Sequence, residues 1–453
     1  MRPVQWLPVL AAVVLGLASP LQAQPISNRT LSLDDIIEIA LAKNPGLSAA
    51  RQEVKASDFG RTISRGKRFG ELEAFGENLY AGFDDANERR LIPRAFLLPE
   101  RSQDDVFGRN TTTAGFSYRI PLYTGGRLTA RVELSEFAAR ASRHRLQQTA
   151  DDLILNLTTT FHTLLRLGED IKATEASLKA LEESSRVTER AVEVGRRPRL
   201  DLLKVNTRLA SVRQALIRRR NSKIVAQGAL VTLMGLEDVT RRVQLAGPLR
   251  YIPQPIDLHQ SIKEALGRRP AYQGLKQEVA IAEKRVQIAQ SRKWPQISLR
   301  LGYLGATNDE DMGRVQDDFT AMLRVSIPLF TGGVLTGQVG EAKARLARAR
   351  ERLRQLRLSV SRGVQEAFFR VKDAEERIVA AQAALQQAAE ALRIERLKLE
   401  VGKGIVEELL IAQRAELEAR ANYFSALAEA NIASMALRRA VGVIRPINPQ
   451  GRR

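Results

Sequence analysis

Seven residues written twice constrain this chain more than any other feature. Ile120-Pro-Leu-Tyr-Thr-Gly-Gly126 returns as Ile327-Pro-Leu-Phe-Thr-Gly-Gly333, and 327 − 120 = 207. Each copy closes a segment of alternating apolar and polar residues. Each then opens a proline-free helical pattern of roughly 68 residues, about 100 Å at 1.5 Å per residue. Neither glycine pair is followed by the Gly-Lys-Ser/Thr pattern of a phosphate loop. Gly125, Gly126, Gly332 and Gly333 read instead as strand-to-helix turns, where a missing side chain permits an unusual backbone. Pro121 and Pro328 are expected to pre-set the entry to these turns and to end the strand hydrogen-bond ladder.

The duplication extends over most of the chain. Ser32 can cap a short helix, Leu33 to Lys43, with Asp34 and Asp35 in its first turn. Asn44-Pro45 stops that helix and starts another, reaching about Lys67. The unit returns as Asp257 to Arg268, then Arg269-Pro270, then a helix to about Lys293. Here the offset is 270 − 45 = 225. Beyond the long helices it is 207 again: Val194-Gly195 matches Val401-Gly402, Leu202-Leu203 matches Leu409-Leu410, and Gly235 matches Gly442. Residues 24–245 and 246–445 are therefore expected to be two copies of one unit, side by side. The first holds 225 − 207 = 18 extra residues between its strands, and 446–453 form a tail. A repeat of this length is no solenoid or propeller period.

Each half carries period-2 segments. Ile297, Leu299, Leu301 and Tyr303 alternate with Gln296, Ser298, Arg300 and Gly302. Phe319, Ala321, Leu323, Val325 and Ile327 alternate with Thr320, Met322, Arg324 and Ser326. Ala114, Phe116, Tyr118 and Ile120 alternate with Thr113, Gly115, Ser117 and Arg119. Glu71 to Phe83 is the weakest strand, with acids expected on both of its faces. Asp84 to Thr112 and Gly305 to Asp318 read as exposed loops. The long helices carry heptads: Val364, Val371, Ile378, Leu385, Leu392 and Leu399 in one, Leu157, Leu164, Ile171, Leu178 and Val192 in the other. An alanine row from Ala367 to Ala388 admits a close neighbour, as in coiled-coil packing. Return helices beginning near Asp201 and Val406 make each half an α-hairpin whose turn lies far from the strands.

The formal charge is +20, which by itself suggests nucleic acid or anionic membrane. The arginines are mostly interleaved with Glu and Gln along helices, however, and read as solvated faces. Arg196, Arg197 and Arg199, and the run Arg218 to Arg220, are the densest clusters. There is no cysteine. That excludes disulfides, thiolate metal sites, a cysteine nucleophile and a lipid-modified N-terminal cysteine. His144, His162 and His259 are scattered, without candidate nucleophiles beside them. No catalytic constellation, cofactor site or metal site is expected, and the chain reads as a non-enzyme. Residues 1–23 have the form of an export signal: Arg2, an apolar core Val9 to Leu17, and Leu21-Gln22-Ala23 before the cleavage point. No later run approaches the 18 apolar residues of a spanning helix.

Strands of this length suffice to cross a membrane, where about 9–11 residues are needed. Four cannot close a barrel, and open edges are not tolerated in lipid. An oligomer that pools strands is therefore required, with apolar faces toward lipid and Arg119, Arg300 and Arg324 toward water.

The strand–Ile-Pro-Leu-(Tyr/Phe)-Thr-Gly-Gly–long helix–Val-Gly–Asp/Glu-Leu-Leu arrangement, present twice, resembles the TolC-like outer-membrane efflux proteins over essentially the whole mature chain. The resemblance implies a mainly α, α+β fold. A homotrimer would form an outer-membrane β-barrel, four strands per protomer, continued by a periplasmic α-helical coiled-coil barrel. It implies a passive exit duct serving a periplasmic adaptor and an inner-membrane pump or ABC transporter, in contact with outer-membrane lipid and not with nucleic acid. By position, Val194, Gly195, Val401 and Gly402 match the hairpin tips that meet the adaptor. Asp201 and Glu408 match acids at the periplasmic aperture, and are also ordinary helix N-terminal acids. Gly404 stands where some members have an arginine that ties the aperture shut, and Ile411 where they have a second acid. Alternatives are the outer-membrane component of type I protein secretion and, more remotely, a periplasmic coiled-coil adaptor or a basic nucleic-acid-binding coiled coil.

Overall fold

The computed structural model describes residues 30–80, 110–308 and 316–444. The export signal 1–23 and the tail 446–453 lie outside the described residues. Helices α1 (Leu33–Lys43) and α2 (Pro45–Gly66) lead into strands β1 (Glu71–Tyr80) and β2 (Asn110–Tyr123). Helix α3 (Arg127–Glu193) and its return α4 (Arg199–Leu233) follow. The second half repeats this as α5 (Leu258–Arg268), α6 (Pro270–Ser291), β3 (Gln296–Asn308), β4 (Gln316–Ser326), α7 (Val334–Glu400) and α8 (Val406–Val441).

Local chemistry fixes the helix starts. Ser32 and Asp35 form a reciprocal capping box on α1. Asn44 caps α2, with Pro45 at its first position. Asp257 accepts from the Gln260 N–H and caps α5. The two long helices have 67 residues each. Each is entered through a left-handed glycine, Gly126 and Gly333, both at φ 82°, a conformation that a Cβ would strain.

The duplication is visible in the cores. One core packs α1 against α3 and α4 through Ile36, Leu153, Leu157, Leu164, Leu230 and Met234. The other packs α5 against α7 and α8 through Ala265, Val360, Val364, Val371, Leu437 and Val441. Leu157 and Val364 differ by 364 − 157 = 207, as do Leu230 and Leu437. The heptad positions Val364, Val371, Ile378, Leu385, Leu392 and Leu399 are all buried or half-buried. The halves are not separate bodies: α3 also packs on α6 and α8, and one four-stranded sheet joins them in the order β1-β2-β3-β4.

That sheet is antiparallel throughout, and its register aligns the period-2 patterns. Leu72, Tyr118, Leu301 and Ala321 stand in one cross-strand row, and Ala74, Phe116, Tyr303 and Phe319 in another. Together they make one continuous apolar face. The opposite face carries Glu71, Arg119, Arg300 and Met322 in one row, and Glu73, Ser117, Gly302 and Thr320 in the next. Glu71, Glu73 and Glu77 all lie on this polar face, so the expectation of acids on both faces of β1 is corrected. All three occupy odd positions, and parity fixes the face of a strand residue.

Two further differences follow from the ladder. Thr111 and Thr112, Gly305 to Thr307, and Asp317 and Asp318 pair within strands rather than forming loops, because β-branched and small residues continue a ladder after apolar alternation ends. Residues 81–109 and 309–315 lie outside the described residues. Pro121 does not end β2: the strand runs on to Tyr123 with a register shift between the two. A bulge accommodates the missing N–H. Pro328, by contrast, follows the end of β4 at Ser326.

Candidate functional site

Two features of the molecule can act on other matter: the sheet with its two faces, and the far ends of the α-hairpins. The sheet presents its apolar face uncovered, with Leu72, Phe116, Phe319, Leu323 and Val325 all exposed. Aromatic side chains mark the level where strands meet helices. Phe69 precedes β1, Tyr123 ends β2, Trp294 precedes β3 and Phe330 follows β4, and all four are exposed, Phe330 at 90%. Such a belt suits a membrane–water interface. Each belt residue adjoins a strand end, a signal present in the sequence that period-2 reading passed over. Trp294 also explains Gly125, since a Cβ there would come within 2.7 Å of the Trp294 Cβ. No helix among the described residues is long and apolar enough to cross a membrane.

At the far end the two hairpin turns are built alike. The Arg196 N–H donates to the Ala191 carbonyl at 2.8 Å, and the Lys403 N–H to the Lys398 carbonyl at 2.9 Å. Gly195 (φ 72°) and Gly402 (φ 78°) take the left-handed position of these caps. Val194 and Val401 are both 67% exposed. The tips therefore offer apolar side chains at the molecule's extremity, about 100 Å from the sheet by helix length.

Asp201 sits in the first turn of α4, half-buried, with Arg197 at 3.7 Å. Glu408 sits in the first turn of α8, exposed and without an ion pair among the described residues. The structure adds a contact that sequence reasoning missed. Lys204 of α4 donates to Glu407 of α8 at 2.5 Å, tying one hairpin to the other. Glu407 is held below the usual carboxylate range by this hydrogen bond and the Lys204 charge. Lys204 is raised by the same bond, and further by the charges of Glu407 and Asp201. Because the acid is depressed and the base raised, the link is intact through neutral pH and is lost as pH falls through the lowered Glu407 value. The residues are 203 positions apart, so no local pattern pairs them.

Gly404 has a steric reason. A Cβ there would lie 2.6 Å from the Leu399 amide nitrogen and 2.8 Å from its Cα. The turn after α7 folds back onto the helix end, and a long side chain cannot stand at 404 without rebuilding it. Ile411 is exposed on α8. Among the described residues no group of His, Cys, Asp or Glu is arranged to hold a metal.

The family model described as "Outer membrane efflux protein" matches residues 36–236 and 261–443. Protein CyaE of Bordetella pertussis is 23% identical over 437 residues, spanning 94% of this chain and 88% of that protein. Cobalt-zinc-cadmium resistance protein CzcC of Cupriavidus metallidurans is 22% identical over 414 residues, spanning 91% and 90%. The solved CmeC outer membrane channel of Campylobacter jejuni has a TM-score of 0.79 at 16% identity, covering 97% of this chain and 94% of that one.

Proposed function

The chain belongs to the outer membrane efflux protein family, and from that premise we propose that three copies form the exit duct of a tripartite efflux pump. The protein is an outer-membrane channel protein that extends into the periplasm, and not an enzyme. In the proposed assembly each protomer contributes its four strands to one closed barrel, with α2, α3, α6 and α7 and the two hairpins continuing it as a tunnel. The observation that carries this is the sheet. It has one continuous apolar face, one polar face, and two edges, β1 and β4, that no other strand among the described residues covers. In hydrocarbon each unpaired edge group costs several kcal/mol. Copies that pair β4 of one with β1 of the next remove that cost.

Substrate moves passively through such a duct, so a periplasmic adaptor and an inner-membrane transporter would supply it. Val194, Gly195, Val401 and Gly402 are the proposed adaptor contacts, because each tip exposes an apolar valine beside basic residues, far from the sheet. Asp201 and Glu408 are the proposed aperture acids, and the Lys204–Glu407 link is part of the proposed closed state. The name of CzcC ties that relative to metal resistance, which fits an efflux role here. Type I secretion would use the same duct with a different inner-membrane partner.

The test has two arms. Purified protein reconstituted in planar bilayers should give stable ion-conducting pores from a heat-modifiable trimer. A photo-cross-linking residue at position 194 or 401 should capture a membrane-anchored periplasmic adaptor, identified by mass spectrometry. Monomeric, non-conducting protein would end the duct reading. Capture of an adaptor encoded with an ABC exporter would replace drug or ion efflux with protein secretion.

A further inference from the structure

Close to the sheet, α6 and α7 leave a half-open groove of about 600 Å3, within the range of small-molecule sites. Its small residues, such as Ala282 and Ala349, leave room for a ligand. Its walls carry Arg145, Arg285, Arg292, Arg345, Arg348 and Arg352, six arginines against the two acids Glu278 and Glu341. Both acids are already engaged: Glu278 by Arg145 at 2.5 Å, and Glu341 by Arg345. Arg292 donates to the neutral Gln338 at 2.8 Å. Arg285, Arg348 and Arg352 make no ion pair among the described residues.

This differs from the neighbouring helix seams. Between α2 and α3, Arg65 meets Glu136 and Arg143 meets Asp58. On another part of the α6–α7 seam, Arg350 meets Glu283 at 2.9 Å. In the groove, like charges gather from three helices, α3, α6 and α7, an arrangement that is unfavourable until a counter-charge arrives. The crowding extends toward the sheet. Burial, Arg131 and Arg292 all push the Arg127 guanidinium below its ordinary pKa, and Arg127 donates to Gln296 at 3.3 Å. Gln296 begins the polar row of β3, so this hydrogen bond brings the arginine-rich end of the helices to the polar side of the sheet.

We propose that this groove is an anion-binding station in the wall of the duct, taking a small multivalent oxyanion that carries carboxylate or phosphate groups as cargo. Guanidinium forks match both groups in bidentate geometry. The inference rests on the duct reading and names its substrate class. By sequence alone, Arg345 to Arg357 reads as a solvated face. Only the folded seam sets Arg345 and Arg352 beside Arg285 and Arg292.

Titration calorimetry on the purified, assembled protein with citrate and with pyrophosphate, at constant ionic strength in sodium chloride, tests this directly. Both anions should bind well above the chloride background. Arg285→Gln with Arg352→Gln should weaken binding about tenfold or more, while Arg285→Lys with Arg352→Lys should retain most of it. Stronger binding of citrate identifies a carboxylate cargo, and stronger binding of pyrophosphate a phosphate cargo. In planar bilayers the same anions should block current through the wild type and spare the glutamine variant. If that variant does not migrate as the heat-modifiable oligomer, Arg348→Gln alone replaces it. Heats equal to chloride, or binding unchanged by the glutamines, would overturn the proposal. Binding without conductance would instead defeat the duct reading and leave the anion site standing.

Discussion

At the scale of single residues, environment decides what a side chain does. Asp201 has Arg197 beside it, whereas Glu408 is open to solvent. A ring of carboxylates in a narrow passage attracts cations. Asp201→Asn with Glu408→Gln should therefore reduce block by divalent or polyamine cations in single-channel recordings. Unchanged block would leave both as helix-start acids only. Buried titratable groups make a second prediction. Asp151 is pushed up to about 6 by burial, then by Asp152, against the pull of Arg439. Its protonated form is the one the fold prefers, so its contribution is full below the unfolded value of 3.8 and is lost as pH rises through about 6. Asp151→Asn should add about 1–3 kcal/mol at neutral pH, read as a higher temperature for loss of the oligomer. His162 has the opposite slope. Burial lowers it to about 4, so its contribution is present above 6.5 and is lost as pH falls toward 4. Its Nδ1 has no hydrogen-bond partner among the described residues. His162→Phe should flatten acid sensitivity between those pH values in the same melting assay.

At the scale of elements, the strands and hairpin turns are where substitution discriminates best. Leu299 faces the apolar side, between Ile120 and Leu323 in the register. Leu299→Arg should cost about 2–4 kcal/mol if the site lies near the bilayer midplane. Thr320→Arg, one strand away on the polar side, should be tolerated. The yield of heat-modifiable protein in the outer-membrane fraction distinguishes them, and equal yields would contradict the assignment of faces. Gly404→Arg should disrupt the turn after α7, since even a Cβ meets the Leu399 backbone. Faster proteolytic nicking near residue 404, with the sheet end intact, is the expected readout. Helix starts at Ser32, Asn44 and Asp257 were legible because caps are local chemistry. The course of β2 through Pro121 was not, because the bulge depends on its pairing with β3.

At the scale of the molecule, the outer edges of β1 and β4 have no strand beside them among the described residues. The absence of native cysteine gives a clean test: one cysteine on β1, such as Glu73→Cys, combined in turn with single cysteines along β4. The expected product on a non-reducing gel is a ladder ending at the covalent trimer, and intramolecular disulfides alone would sink the pooled barrel. What the residues determined unaided was the inventory: two copies at a spacing of 207, two helices of about 100 Å, period-2 strands, capped short helices and glycine turns. These follow from nearest-neighbour sterics, hydrogen bonding and hydrophobic period, all of which act over a few residues. What only the tertiary structure decided was adjacency. It set β2 beside β3, placed all three β1 acids on the wet face, joined Lys204 to Glu407, and gathered the arginines of α6 and α7 around one groove. Each of these joins positions far apart in the chain, and such contacts arise from how whole helices and strands pack against one another.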